Sequence, residues 1–329
     1  MGAEEHACRA GGRGTTRPAM KKLLAPSLLA LIACGGGAEN LPPPPPQPKA
    51  AVEPPKVVAS APPSASAPVV EPPPVAPPSL GAGTAAPDPA APLPTVKIVA
   101  PAANLVIPAA KAKDFEIKLD VKDWKTAAGD AHVHLILDNK PYMRIDDPKA
   151  PVKLSQFGAE LAEGQHVLVA FPSRATHESV KTKGAVAVVS FYVGKKDKDA
   201  VDVKKPLLVY SRPKGEYNGA MANHVLVDWQ VANAEIGDGK FAVSLAVTGP
   251  GISAPLTAKQ TNRMTPFYLD HLQNGTYTVK TELLDKDGKV VPGAWNSTTR
   301  DIKIDGAAPT PADPHAGHGS PPPAAPPSK

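Results

Sequence analysis

The stretch "LAEGQHVL" at residues 161–168 finds a counterpart in "LQNGTYTV" at residues 272–279, a shift of 111 positions. Each reads Leu-x-x-Gly-x-ring-x-aliphatic. A leucine to plug a core, a glycine to permit a turn and an alternating apolar run are the marks of a loop entering a strand. Working outward at nearly the same shift, Phe115, Ile117, Leu119 and Val121 meet Val225, Val227, Trp229 and Val231. His132, His134 and Ile136 meet Val243, Leu245 and Val247, and Phe191 and Val193 meet Ile302 and Ile304. Four segments aligned in order at one shift read as a tandem duplication.

The strand signals between these anchors are short, β-branched and punctuated by Gly, Pro, Asp or Lys. They are "PTVKIVAP", "DFEIKLDV", "AHVHLILD", "PYMRI", "QHVLVAF" and "AVAVVSFYVG", then "PLLVYSRP", "HVLVDWQV", "KFAVSLAVTG", "TYTVKTELLD" and "RDIKID". No long stretch has a helical period. The expected class is all-β, as two tandem immunoglobulin-like or fibronectin-like β-sandwiches spanning 95–195 and 206–305. In such domains Leu-x-x-Gly-x-Tyr resembles the turn before strand F, with Leu272 in the core and the Tyr277 hydroxyl on a backbone group. The charged run "KKDKDAVDVKK" at 195–205 reads as the junction, and Asp285 to Gly288 as a hairpin turn rather than a calcium loop, since the closing acids are missing.

Composition divides the chain. Of 329 residues 42 are Pro, while aromatics make up 5%. Residues 34–94, beginning with "LPPPPPQP" after Asn40, cannot bury a core and read as a disordered Pro-rich linker. Its Pro-rich part, about 55 residues in polyproline II, reaches at most about 170 Å at ~3.1 Å per residue. The tail 306–329 reads the same way. Net charge is +5 with mixed signs, and no basic run is interleaved with aromatics, so nucleic acid is not an expected partner.

Upstream, "MKKLLAPSLLALIAC" runs from Met20 to Cys34. Lys21 and Lys22 precede an apolar run too short to span a bilayer, which marks a signal peptide over 1–33 with Met20 as its plausible start. Leu31-Ile32-Ala33-Cys34 resembles the lipobox of bacterial lipoproteins. That resemblance implies a diacylglycerol thioether at Cys34, cleavage before it, and anchoring in the bilayer by two or three acyl chains. Gly35, where Asp would signal inner-membrane retention, favours the outer membrane, with the domains in the periplasm or at the cell surface. No cysteine follows Cys34, so no disulfide staples the sandwiches.

The residues with most chemistry are four histidines. His132 and His134 are two apart on one strand and share a face. His166 opens the expected neighbouring strand and His177 follows it. Neutral imidazoles converging from two strands suit Zn²⁺ or Cu²⁺. The set is similar to an uncharacterised bacterial family of secreted sandwich domains with a His-x-His strand, Leu-x-x-Gly-x-His-x-Leu and a later His. His132, His134, His166 and His177 match those positions; "DDPKAPVKLSQFG" lacks a further histidine stretch that family carries. A structural reading stands beside the metal reading. By the repeat, His132 and His134 replace core residues, and His166 replaces Tyr277 and caps a corner carbonyl. His315 and His318, in "PHAGHG", fall in the tail.

Trp124, Tyr142, Tyr217 and Trp295 sit in expected loops, where rings can stack on sugars or pack at a rim. There is no Gly-x-Ser-x-Gly, phosphate loop, His-Glu-x-x-His, dinucleotide fingerprint or catalytic cysteine, so no enzyme is expected. The leading expectation is a non-enzymatic, lipid-anchored envelope protein that presents its sandwiches to a protein, polysaccharide or peptidoglycan. The alternative is a periplasmic Cu or Zn binding domain.

Overall fold

Each of the eleven expected segments becomes a strand, and six further strands join them. The computed structural model describes residues 76–158 and 161–311. The signal peptide, Cys34, most of the Pro-rich linker, and His315 and His318 lie outside the described residues.

Strands β2 (Thr95–Ala100), β4 (Glu116–Lys122) and β7 (Val152–Lys153) form one sheet in that order. Facing it is a five-stranded sheet of β3 (Val106–Ile107), β9 (Ala187–Val193), β8 (Gly164–Ser173), β5 (His132–Leu137) and β6 (Met143–Ile145), again in spatial order. Further along the chain, β1 (Ser79–Ala82), β15 (Phe267–Asp270), β12 (His224–Ala232) and β10 (Leu207–Arg212) make a four-stranded sheet. Its companion is β11 (Gly215–Asn218), β17 (Ser297–Asp305), β16 (Gly275–Leu284), β13 (Ala242–Thr248) and β14 (Leu256–Gln260). No helix among the described residues is long and apolar enough to cross a membrane.

The two five-stranded sheets have the same strand order, and their registers correspond. Gly164 pairs with Val193 as Gly275 pairs with Ile304. The first strand of each is parallel to its neighbour, β3 to β9 and β11 to β17. Even the irregularities match: β2 shifts register against β4 between Ile98 and Ala100, and β10 against β12 between Tyr210 and Arg212.

One segment departs from the expected alignment. Leu137 pairs with Leu168, and Val247 pairs with Val279, the counterpart of Leu168. Leu137, not Ile136, is therefore the equivalent of Val247, and the shift for β5 is 110. Because side chains alternate, a one-residue slip exchanges the faces. Val133, Leu135 and Leu137 enter the first core, while His132 and His134 point out of its far side. These two histidines do not occupy the positions of Val243 and Leu245.

The far side is not solvent. Ile136, Val167, Val169 and Phe171 pack on Leu207, Val209, Ala232 and Trp295, forming a third apolar cluster between the two sheet pairs. Strand β10 is buried on both faces: Leu208 and Tyr210 belong to the second core, Leu207 and Val209 to this cluster. The charged junction contributes too, through Val201 and Val203. Gln165 ties it down by accepting from the amides of Ala200 and Val201 and donating to the Val201 carbonyl.

Other expectations need correction. Ser79–Ala82, read as linker, is a strand, because its amides and carbonyls complete the edge of β15. The tail begins later than 306: Thr310 Oγ1 accepts from the Ala220 amide at 2.8 Å. Tyr142, Tyr217 and Trp295 are buried and cannot stack on a sugar from solvent, while Trp124 is half-buried with its indole N–H on the His132 carbonyl. Asp285 to Gly288 is a turn as expected, with the Asp285 carboxylate accepting from the amides of Asp287 and Lys289.

Tyr277 does what its motif implied. Its hydroxyl donates to the Pro250 carbonyl and accepts from the Gln273 amide, both at 2.8 Å. Gly275 sits at φ +139°, where a Cβ would meet Pro250 at 2.7 Å. Tyr277→Phe orphans both backbone groups, so urea denaturation should show a loss of about 1–3 kcal/mol.

Candidate metal centre

His132 and His134 are carried by β5 on the face that the third cluster covers. His177 comes from the tight turn after β8, where its amide donates to the Arg174 carbonyl at 2.9 Å and its φ is +68°. This left-handed conformation is uncommon for a side-chain-bearing residue, though histidine is among those that tolerate it. The turn brings its ring back under the sheet. His132 Nε2 lies 3.0 Å from His134 Nε2 and 3.1 Å from His177 Nδ1, and the last two are 3.5 Å apart. Tetrahedral bonds of about 2.0–2.1 Å to a metal place ligand nitrogens about 3.3–3.4 Å apart. All three residues are buried.

Hydrogen bonding decides which nitrogens carry lone pairs. His132 Nδ1 is 2.7 Å from the Asp130 carbonyl, which only accepts, so Nδ1 holds the proton and Nε2 is bare in the neutral ring. Tyr142 Oη accepts from Arg212 Nε at 3.0 Å and Nη2 at 2.5 Å. Its own proton is therefore directed at His177 Nδ1, 3.1 Å away, and that nitrogen is an acceptor. His134 Nδ1 faces Ser211 Oγ at 3.2 Å, a hydroxyl that donates or accepts. His134 can thus place its proton on either nitrogen, and turning it toward Ser211 frees the third lone pair. A backbone carbonyl on the outer nitrogen, as at His132, is a usual support for metal-bound histidines.

Burial holds the His134 pKa well below the usual imidazole value, reinforced by His132, His177, Arg212 and Lys214. His134 is neutral at pH 7. Lys214 is buried as well, with Nζ donating to the Tyr142 carbonyl at 2.8 Å and lying 3.6 Å from the Tyr142 ring centroid. Burial first, then Arg212 and Arg300, push its pKa down to about 6. The Tyr142 ring stacks on His134, centroids 3.5 Å apart.

His166, the fourth candidate, does not join the other three. His134 pairs with Phe171, so the residues of β8 sharing its face are Phe171, Val169 and Val167, and His166 points the opposite way. There Nε2 donates to the Ala162 carbonyl at 2.8 Å and Nδ1 meets Asp138 Oδ2 at 2.7 Å. Burial lowers its pKa, but the Asp138 carboxylate and the Ala162 carbonyl outweigh it, and the net shift is upward. A raised folded-state pKa contributes stability that is complete below about pH 6.5 and is lost as pH rises through the folded value. The His166 contribution, read as the difference in urea stability between the parent and Asp138→Asn, should shrink as pH rises from about 5 to 8, against the opposite trend that the lowered Lys214 and His134 impose on the whole chain.

Sequence reading missed Ser211, Arg212 and Lys214, and took Tyr142 for a loop aromatic. All belong to the surroundings of the imidazoles. The one signal available was "SRPK", a cationic pair ending an otherwise apolar strand.

No protein-family model matches the sequence, and no curated protein matches it. Among solved structures, the fibronectin(III)-like modules of Clostridium thermocellum CbhA cover 64% of this chain and 94% of theirs, at 17% identity and a TM-score of 0.22. The chicken CNTN1 FN1–FN3 domains cover 64% and 67%, at 9% identity and a TM-score of 0.20. Chicken interferon gamma receptor alpha chain covers 66% and 100%, at 13% identity and a TM-score of 0.22. The described part of the chain is all-β, built of paired sheets that enclose two apolar cores.

Proposed function

We propose that this protein is a non-enzymatic metal-binding protein of the bacterial envelope. It holds one Cu²⁺ or Zn²⁺ at His132, His134 and His177. The observation that carries this is three buried imidazole nitrogens within 3.0–3.5 Å of one another. Two of them present lone pairs by hydrogen-bond necessity. Because Tyr142 Oη donates to His177 Nδ1, a cation taking that lone pair displaces the proton, which couples metal binding to pH. Tyr142 Oη borders the same point, and the positive charge of Arg212 beside it favours an anionic fourth ligand.

Two further elements complete the proposal. The lipobox at Cys34 supplies a bilayer anchor, with the Pro-rich segment as spacer. The matching strand orders and registers of the two five-stranded sheets support a tandem duplication in which only the first copy carries histidines at the two β5 positions. The second copy holds Ala242 and Ser244 at the positions of His132 and His134. Presentation of surface aromatics to a glycan loses its basis, since three of the four rings invoked are buried.

Calorimetric titration of the full chain with Cu²⁺ and Zn²⁺ tests the site, in a His315→Ala/His318→Ala background that removes tail binding. One equivalent should bind, and His132→Ala with His134→Ala should abolish it. Binding unchanged by that pair, or no binding in the parent, rejects the site. Mass spectrometry of the native amino terminus tests the anchor: an unacylated chain beginning upstream of Cys34 rejects it.

A further inference from the structure

A phenol oxygen stands at the edge of the three imidazoles. Tyr142 Oη lies 3.1 Å from His177 Nδ1, the same separation that His177 Nδ1 keeps from His132 Nε2. Arg212 donates to that oxygen through both Nε and Nη2, at 3.0 and 2.5 Å. Two guanidinium N–H groups converging on one oxygen are strongest when the oxygen is an anion. Arg212 is buried and forms no ion pair with another described residue. A buried charge is normally paired, and a divalent ion added beside this one makes the need greater. The acidic hydrogen that touches both Arg212 and a ligand imidazole is that of the Tyr142 hydroxyl.

Angles narrow the metal. With bonds of about 2.0–2.1 Å, nitrogen separations of 3.0 and 3.1 Å subtend about 95–100° at the metal and 3.5 Å subtends about 120°, where a tetrahedron has about 109° throughout. A metal on His134 Nε2 lies in the plane of that imidazole. The Tyr142 ring is stacked on the same imidazole, with centroids 3.5 Å apart and planes inclined by 12°. Its oxygen therefore meets the metal from above that plane, close to a right angle to the Nε2 bond. Near-right angles and a mixed nitrogen and oxygen set are the tetragonal arrangement of Cu²⁺, and copper also accepts one long axial ligand. Zn²⁺ is bound almost always as a tetrahedron.

We propose that Tyr142, as a phenolate, is the fourth ligand of the metal centre and that the centre takes Cu²⁺ in preference to Zn²⁺, which rests on the three-histidine reading. Cu²⁺ takes the His177 Nδ1 lone pair that held the Tyr142 proton. The O–H bond breaks, the proton passes to solvent and the oxygen lone pair goes to the metal, which stays divalent. Arg212 holds the oxygen from behind through its two N–H groups.

The test adds Cu²⁺ to the full chain carrying His315→Ala and His318→Ala. One equivalent should raise a visible absorption band from phenolate-to-Cu²⁺ charge transfer, and resonance Raman excited in that band should show phenolate ring modes. Tyr142→Phe should still bind one equivalent without the band, with Cu²⁺ affinity reduced about tenfold or more and Zn²⁺ affinity reduced less. The Raman measurement needs no variant, so it decides the matter even where Tyr142→Phe does not fold. A one-to-one complex that lacks the band, yet is abolished by His132→Ala with His134→Ala, overturns Tyr142 as a ligand and leaves the histidine site standing. A band that survives in Tyr142→Phe does the same. Equal losses of affinity for the two metals overturn the preference for copper. No binding in the parent rejects the histidine site and this ligand with it.

Discussion

Zn²⁺ or Cu²⁺ present at a hundredfold excess over its dissociation constant should stabilise the folded chain by about 2.7 kcal/mol. For a folded portion of this size that is a rise in melting temperature of roughly 5–10 °C. The shift follows from linkage, since a site assembled from β5 and a distant turn exists only in the folded state. His177→Asn is the informative substitution. Asparagine tolerates the left-handed backbone that His177 adopts at φ +68°, so the turn is kept while the third nitrogen is removed. Affinity should fall by a factor of about 100 or more, and the thermal shift should vanish at the same metal concentration. Scanning calorimetry with and without metal reads both. A melting temperature that rises equally in the variant would show that the metal acts elsewhere.

Asp228→Ala should cost about 3–5 kcal/mol in urea denaturation, because it leaves Lys181 buried without its counter-charge. The Lys181–Asp228 pair has side-chain exposures of 6% and 1%. It joins the loop after β8 to strand β12 and does not act alone: Asp228 Oδ2 accepts from the Ser179 amide at 3.1 Å, Ser179 Oγ donates to the Trp229 carbonyl at 3.1 Å, and Gln230 Nε2 donates to the Val180 carbonyl at 2.6 Å. Ser179, Val180 and Lys181 follow His177 by two to four positions. The same substitution should therefore also weaken metal binding, though no ligand is touched. Asp228→Leu with Lys181→Met should recover most of the stability, since a buried pair replaced by apolar groups is often neutral. A double variant no more stable than Asp228→Ala would mean that the hydrogen bonds, not the charges, hold the loop.

Much of the fold was legible because alternation and turn chemistry act locally. "QHVLVAF" and "TYTVKTELLD" announce strands by their period, and Leu-x-x-Gly-x-Tyr announces a corner whose bonds the structure places on Pro250 and Gln273. The strands that escaped notice are short or at edges. "SLGA" and "FYLD" have little pattern of their own and are strands because a neighbour offers unpaired amides. Three of the four candidate ligands come together. The fourth was misplaced because the sequence does not show the pairing register of β5 with β8, and parity decides which face a side chain takes.

By itself the sequence determined the all-β class, the positions of the principal strands and the His-x-His pair on one face. Those follow from interactions between residues near one another along the chain. Only the tertiary structure decided that this face is buried against β10, that Tyr142 makes His177 Nδ1 an acceptor while Ser211 gives His134 Nδ1 a partner, and that His177 rather than His166 completes the set. Each depends on which sheet packs on which, and that is governed by apolar surfaces and hydrogen bonds between residues far apart in sequence.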